Sequence, residues 1–235
     1  MKNLGIIPAR GGSKRLPRKN IKLLNGKPLI HYSLEAVVNS GVYDTIILSS
    51  DDDEILEIGA KVKGIIPEKR EANFATDTSK VIELIKHIAD RPGYVEKYDT
   101  ISLFLPTCPF RTAQHIKEGF ALLNEEDFSV VSISEMKDPV QLTATMNDEN
   151  IINPNAIINP SPLITGNTRS QDFEKIYRVN GGFYIAWIDK FVTKENFFQG
   201  QTKGYVIPQK YMVDIDEPLD FEWAEYLIKN NHLTL

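Results

Sequence analysis

Short unbroken apolar runs alternate with helix-like stretches through the first half of the chain. No other feature limits the fold as strongly. Leu4 to Ile7, Thr45 to Leu48, Asp99 to Leu105 and Phe128 to Ile133 read as strands, and Lys63 to Ile66 as a shorter one. Between them lie Pro28 to Val38, Asp52 to Ala60, Val81 to Ala89 and Ala113 to Asn124, which read as helices. The first carries Leu29, Ile30, Leu34, Val37 and Val38 on one side, and the second has Ser50 or Asp51 near its N-cap. β-Branched runs without polar alternation are buried on both faces, and helices between them make the strands mostly parallel. The expected fold is α/β: a three-layer α/β/α sandwich with a mainly parallel, Rossmann-like sheet. In such sheets ligands bind beyond the carboxyl ends of the strands.

The first strand empties into Pro8-Ala9-Arg10-Gly11-Gly12-Ser13-Lys14-Arg15-Leu16-Pro17-Arg18-Lys19-Asn20. Five cations crowd this loop, while the whole chain carries a formal net charge of -5. A local positive feature on a negative background suits a polyanion held at one place. Two glycines let backbone amides approach an anion closely. A triphosphate fits this chemistry. Neither the G-x-x-x-x-G-K-[ST] pattern nor G-x-G-x-x-G is present.

The second half changes character. Gln141 to Ser170 is rich in Asn, Pro, Ser and Thr, and reads as an irregular or β-rich insertion within one domain. Val179 to Ile188 and Tyr205 to Ile207 read as strands. Pro218 to Ile228 reads as a closing helix with Leu219, Trp223, Tyr226 and Leu227 placed to bury against the sheet. The single cysteine, Cys108, allows no intrachain disulfide, and a reducing, cytoplasmic setting is the expectation. The acidic balance argues against nucleic acid, and no apolar run is long enough for a membrane span.

Two acidic clusters stand out. In Asp214-Ile215-Asp216 the carboxylates lie two residues apart, on the same side of an extended segment. They suit one hard cation such as Mg²⁺, or Asp216 caps the helix at Pro218. Asp51-Asp52-Asp53 favours a structural reading, because carboxylates in a first helical turn complement its dipole. Thr76-Asp77-Thr78-Ser79 has helix-capping chemistry, and Asn196-Phe197-Phe198 places two rings either in the core or against a partner.

The loop resembles that of the acylneuraminate cytidylyltransferases, the CMP-sialic acid synthetases. Arg10, Ser13, Lys14, Pro17, Lys19 and Asn20 fall on their pattern of Ala-Arg-x-x-Ser-Lys-x-x-Pro-x-Lys-Asn. Arg70 with Ala75 to Thr78, Pro106-Thr107-Cys108-Pro109-Phe110-Arg111-Thr112, Arg178-Val179-Asn180-Gly181-Gly182-Phe183-Tyr184 and Asp214-Ile215-Asp216 follow in the family's order. The resemblance implies CMP transfer from CTP to the anomeric hydroxyl of a 2-keto-3-deoxy acid sugar, releasing pyrophosphate. It implies nucleotide binding by Arg10, Gly11, Gly12, Ser13, Lys14, Lys19, Asn20, Arg70, Asp77 and Ser79, and Mg²⁺ binding by Asp214 and Asp216. Arg10, Lys19, Asp214 and Asp216 are the catalytic expectation. Sugar binding falls on Leu105, Gln141, Arg169, Arg178, Asn180, Gly181, Tyr184, Phe197 and Phe198. Leu105 stands where the sialate enzymes have a sugar-contacting Gln, and Gln141 where they have a Lys. An unpaired substrate group at such a place costs about 1–3 kcal/mol, so a nonulosonic acid other than N-acetylneuraminate is expected. The resemblance also implies a homodimer built on an insertion around 139–198, with Phe197 and Phe198 reaching the partner's sugar. Kdo, another sugar, or a non-catalytic nucleotide-binding module are the alternatives.

Overall fold

Neighbouring residues of one strand enter different cores, so the central sheet is covered on both faces. Ile7, Ile46, Leu48 and Ile185 join Ile30, Leu34, Val37, Ile55 and Ile116 on one face. Leu4, Ile6, Ile47 and Ala186 join Leu84, Ile85, Ile88 and Phe191 on the other. This two-sided burial is what the unbroken apolar runs require.

The computed structural model describes residues 1–76 and 78–233. In chain order the elements are β1 (Asn3–Pro8), β2 (Leu23–Leu24), β3 (Lys27–Pro28), α1 (Leu29–Ser40), β4 (Thr45–Ser50), α2 (Asp53–Gly59), β5 (Ile65–Lys69), α3 (Val81–Ala89), α4 (Tyr94–Lys97), β6 (Thr100–Leu103), α5 (Ala113–Ala121), β7 (Ser129–Glu135), β8 (Thr145–Met146), β9 (Ile152–Asn153), α6 (Pro162–Thr165), β10 (Tyr177–Trp187), α7 (Ile188–Lys194), β11 (Thr202–Val206) and α8 (Pro218–Lys229). Seven strands form the main sheet in the order β11-β7-β10-β6-β1-β4-β5. β1 runs parallel to both β4 and β6, β4 to β5, and β11 to β7. β10 is antiparallel to β6, with Tyr184 opposite Leu103. The expected α/β sandwich with a mainly parallel sheet is therefore what forms.

Two local expectations need correction. The N-cap of α2 is Asp52, not Ser50 or Asp51; its carboxylate accepts from the Ile55 amide at 3.2 Å. On α8 the buried stripe is Phe221, Ala224 and Leu227; of the four residues expected there only Leu227 is buried, and Leu219, Trp223 and Tyr226 are exposed. The chain before α8 decides the face. Val213 and Ile215 pack with Leu16, Leu24, Leu29, Tyr32 and Phe110 and receive Phe221. Apolar side chains lie on more than one side of this helix, so periodicity alone chose three wrong residues beside Leu227.

The chain divides into two compact units, Met1–Ile133 with Val179–Leu235, and Ser134–Arg178. The expected insertion, 139–198, ran further. Residues after 178 belong to the first unit because β10 pairs with β6 and α7 contributes Phe191 to the core. The second unit contains the β8–β9 ribbon and α6. It buries no large apolar side chain, and Met146, Ile151, Ile152, Ile157, Leu163 and Ile164 are all exposed.

Candidate active site

The basic loop leaves β1 and lines a cleft of about 600 Å³ at the carboxyl end of the sheet. Arg10, Ser13, Lys14, Lys19, Asn20, Arg70, Ser79, Leu105 and Asp216 all border it. Arg15, Phe74, Thr76 and Thr107 border it too. Sequence reasoning assigned none of these four, although Arg15 stood among the loop cations and Thr76 in the capping cluster.

The loop is held by its own side chains. Asn20 donates from Nδ2 to the Arg10 carbonyl at 2.9 Å, tying the two ends together. Gly11 donates its amide to Asp51 Oδ1 at 3.0 Å, so this amide serves the loop and not a bound anion. A Cβ on Gly11 would lie 2.6 Å from Asp52 Oδ2, which requires glycine at this close approach. Gly12 faces open space, and nothing in the structure requires a glycine there. Arg18 pairs with Asp52 and Glu54, outside the cleft lining. Burial opposes ionisation of Asp52, but the Ile55 amide and Arg18 outweigh it and hold its carboxyl below the ordinary value. Asp51, Asp52 and Asp53 thus serve the loop, the α2 cap and an ion pair with Lys69, the structural role expected of them.

Lys19 joins the loop to the acidic segment. Its buried ammonium donates to the Ile215 carbonyl at 2.7 Å and to Asp216 Oδ1 at 2.9 Å. Arg15 reaches the other oxygen, Asp216 Oδ2, at 2.8 Å. Burial pushes the Asp216 carboxyl up, but Lys19 and then Arg15 prevail and bring it below its ordinary value. Lys19 was expected to hold phosphate; here it braces the acidic segment. Val213 and Ile215 are buried, and exposed Asp214 and half-buried Asp216 alternate with them.

Across the cleft, Arg70 donates from Nη2 to the Ser49 carbonyl at 2.7 Å, beside Asp51 and Arg10. Burial lowers its pKa, and Asp51 opposes that shift. Ser79 Oγ donates to the Asn73 carbonyl at 2.7 Å. Asp77 lies outside the described residues.

The sugar-side assignments divide by unit. Leu105, Asn180, Gly181, Tyr184, Phe197 and Phe198 lie in the first unit, and Gln141, Arg169 and Arg178 in the second. Within the second, Arg169 pairs with Asp172, and Gln141 helps line a smaller pocket. Asn180 is buried, its Oδ1 accepting from Ser132 Oγ at 2.6 Å and from the Gly182 amide. Gly181 has φ +72°, and a Cβ there would approach Leu105 Cδ1 to 3.0 Å and Cys108 Sγ to 3.2 Å. The phenol of Tyr184 is pushed up to about 12 by burial, with Cys108 and Asp214 adding to it. Burial likewise raises the Cys108 thiol to about 12, which removes it as a nucleophile.

The aromatic pair requires a correction. Phe197 is 3% exposed and packs on Phe191 and Tyr184. It is core and unavailable to a partner. Phe198 is half exposed, with its ring edge-on to Tyr184.

The sequence profile described as cytidylyltransferase matches residues 4–233. The chain belongs to the cytidylyltransferase family. A pseudaminic acid cytidylyltransferase from Campylobacter jejuni is 33% identical over 99% of this chain and 98% of its own length. A CMP-N,N'-diacetyllegionaminic acid synthase from Legionella pneumophila is 30% identical, covering both chains in full. Among solved structures, a CMP:2-keto-3-deoxy-manno-octonic acid synthetase complexed with CTP superposes with a TM-score of 0.70. It covers 98% of this chain at 13% identity, so the likeness is one of fold. This cytidylyltransferase is an enzyme, and no described helix is long and apolar enough to cross a membrane.

Proposed function

We propose that the enzyme transfers CMP from CTP to the anomeric hydroxyl of a nonulosonic acid of the pseudaminate or legionaminate type. The hydroxyl oxygen attacks the α-phosphorus in line, the bond to the β-phosphate oxygen breaks, and pyrophosphate leaves. The observation that carries this reading is one cleft bordered by Arg10, Lys14, Arg70 and Asp216, with Leu105 where the sialate pattern has an amide. Arg10, Lys14 and Arg70 supply positive charge for the triphosphate. Phosphoryl transfer needs positioning and charge neutralisation more than covalent chemistry from the protein. Leu105 offers the sugar an apolar contact and no hydrogen bond. The names of the two relatives, which act on pseudaminic and legionaminic acids, support the sugar class.

The donor chemistry fits Mg²⁺. Asp214 and Asp216 offer only oxygen, and no cluster of three or more His, Cys, Asp or Glu suited to a metal occurs among the described residues. Mg²⁺ accepts one or two carboxylates and completes its shell with phosphate and water. When bound it supplies charge neutralisation at the phosphates. Lys19 keeps Asp216 ionised and in place for that role.

A homodimer belongs to the same proposal. The Ser134–Arg178 unit exposes seven large apolar side chains, Tyr177 among them, and buries none, and a second copy is the cover this reading gives it. Phe198 is then the ring left to sense the partner's sugar.

A pyrophosphate-release screen tests the reading, pairing each NTP with pseudaminate, legionaminate, N-acetylneuraminate and Kdo. Turnover is expected with CTP and the first two sugars. A preference for UTP or ATP, or efficient turnover confined to N-acetylneuraminate or Kdo, would refute it. Light scattering of an active monomer would refute the dimer.

A further inference from the structure

Arg111 is the largest fully buried side chain, 2% exposed, and it makes no ion pair among the described residues. Its Nη1 donates to the carbonyls of Leu105 at 2.8 Å and Cys108 at 3.0 Å. Nε and Nη2 are buried without a partner, and the guanidinium lies 5.5 Å from the Phe104 ring centre. Burial brings its pKa down to about 10, so it remains charged at neutral pH. A buried, half-satisfied cation is costly, and an apolar side chain of similar volume would fill the space more cheaply. Its two carbonyl contacts, however, fall on the loop from Leu105 to Cys108. The Leu105, Pro106 and Thr107 part of that loop lines the cleft.

The same loop holds the acidic segment and the sugar-side strand. The Thr107 carbonyl accepts the Ile215 amide at 2.8 Å. Cys108 Sγ donates to the Asn180 carbonyl at 3.0 Å and lies 3.9 Å from Asp214 Oδ1. Gly181 packs on Leu105 and Cys108 so closely that a Cβ would strain the contact. One guanidinium therefore sits at the base of a loop that touches both carboxylate positions' segment and β10.

We propose that Arg111 is a positioning residue: through the Leu105 and Cys108 carbonyls it fixes the loop that carries Ile215, and so sets Asp216 at the cleft and Asp214 beside Cys108. The proposal rests on the CMP-transfer reading. It acts on the chemical step more than on nucleotide affinity, because the loop after β1 and Arg70 lie outside the Arg111 contacts.

Arg111→Met removes the donors with little change of volume, and Arg111→Lys keeps a charged donor without the planar fork. Exchange of the Ile215 amide, read by NMR, is expected to quicken by roughly tenfold or more in Arg111→Met while β1 amides keep their protection. Turnover per CTP-binding site is expected to fall about 100-fold, with CTP affinity changed less than about threefold and Arg111→Lys intermediate in both readouts. A folded Arg111→Met with wild-type Ile215 exchange, or with turnover near wild type, overturns the proposal. So does parallel loss of CTP binding and activity, the mark of a merely structural role. If Arg111→Met does not fold, Arg111→Lys decides: faster Ile215 exchange with CTP affinity kept supports the proposal, and wild-type exchange overturns it. A wild-type enzyme inactive with every NTP and sugar refutes the CMP-transfer reading instead, and Ile215 exchange still judges Arg111.

Discussion

Replacing Phe197 and Phe198 by alanine, one at a time, separates a core role from a site role at adjacent positions. Phe197 is 3% exposed, with ring centres at 4.8 Å to Phe191 and 5.5 Å to Tyr184. Truncating a buried Phe costs about 3–5 kcal/mol through lost transfer energy and the cavity left behind. In a chain of this size each kcal/mol lowers the melting midpoint by about 2–4 °C, so Phe197→Ala should melt about 6–20 °C earlier. Phe198 is half exposed, and its edge contact with Tyr184 at 6.3 Å is its one aromatic partner among the described residues. Losing it should cost about 1 kcal/mol at most, a shift of about 2–4 °C. Calorimetry of both variants reads the difference directly. Steady-state kinetics then reads the second half: Phe198→Ala raises the sugar KM several-fold and leaves the CTP KM near wild type. Equal melting shifts would refute the burial argument, and an unchanged sugar KM in Phe198→Ala would refute its place in a sugar site.

Other perturbations follow from the same geometry. Asp216→Asn leaves Lys19 facing a neutral amide and should lower kcat by about 100- to 1,000-fold with the circular dichroism spectrum unchanged; near wild-type kcat at saturating Mg²⁺ counts against the assignment. Gly181→Ala forces a side chain onto φ +72° and into Leu105 and Cys108, and should destabilise by about 1–2 kcal/mol while raising the sugar KM; a wild-type melt would show that the contact relaxes. Burial holds the His115 imidazole below its ordinary value, against the pull of Glu118. The unfolded chain takes that proton near about pH 6.5 and the folded one only at lower pH, so this contribution is complete above that value and declines as pH falls toward the folded pKa. Melting midpoints should therefore drop more steeply from pH 7 to pH 5 in wild type than in His115→Gln; parallel profiles would contradict it.

The elements were legible in the sequence where burial is two-sided. A β-branched run such as Thr45 to Leu48 has few alternatives to a central strand, and α3 spans the residues its periodicity marks, Val81–Ala89. α8 was misread because its apolar residues circle the helix, and the choice of face belongs to Val213, Ile215 and the residues they pack on. The cleft was legible where its residues are consecutive, as from Arg10 to Asn20. It was not legible where a charge finds its partner across the fold. Lys19 and Asp216 are 197 residues apart, and Gly11 and Asp51 are 40. A cation in a sequence carries no mark of its counter-charge. Lys19 was therefore read as reaching for phosphate, and Arg111 passed as one more residue of a loop motif.

The two cations on Asp216 differ in what they can do next. The Lys19 side chain is 11% exposed and also holds the Ile215 carbonyl, so leaving Asp216 would strand a buried ammonium. The Arg15 side chain is 61% exposed and pairs with Asp216 and Glu217 at the rim. Exposed ion pairs contribute about 0–1 kcal/mol, which thermal motion and competing ions readily exchange. Lys19 is thus the fixed partner and Arg15 the exchangeable one. Asp216 is anchored through one oxygen by buried Lys19, while the exposed Arg15 guanidinium covers the other. Arg15 also borders the cleft, as Lys14 and Arg10 do. Under the proposed CMP transfer, release of Arg15 alone would free Asp216 Oδ2 for a metal, with the buried Lys19 contacts left in place.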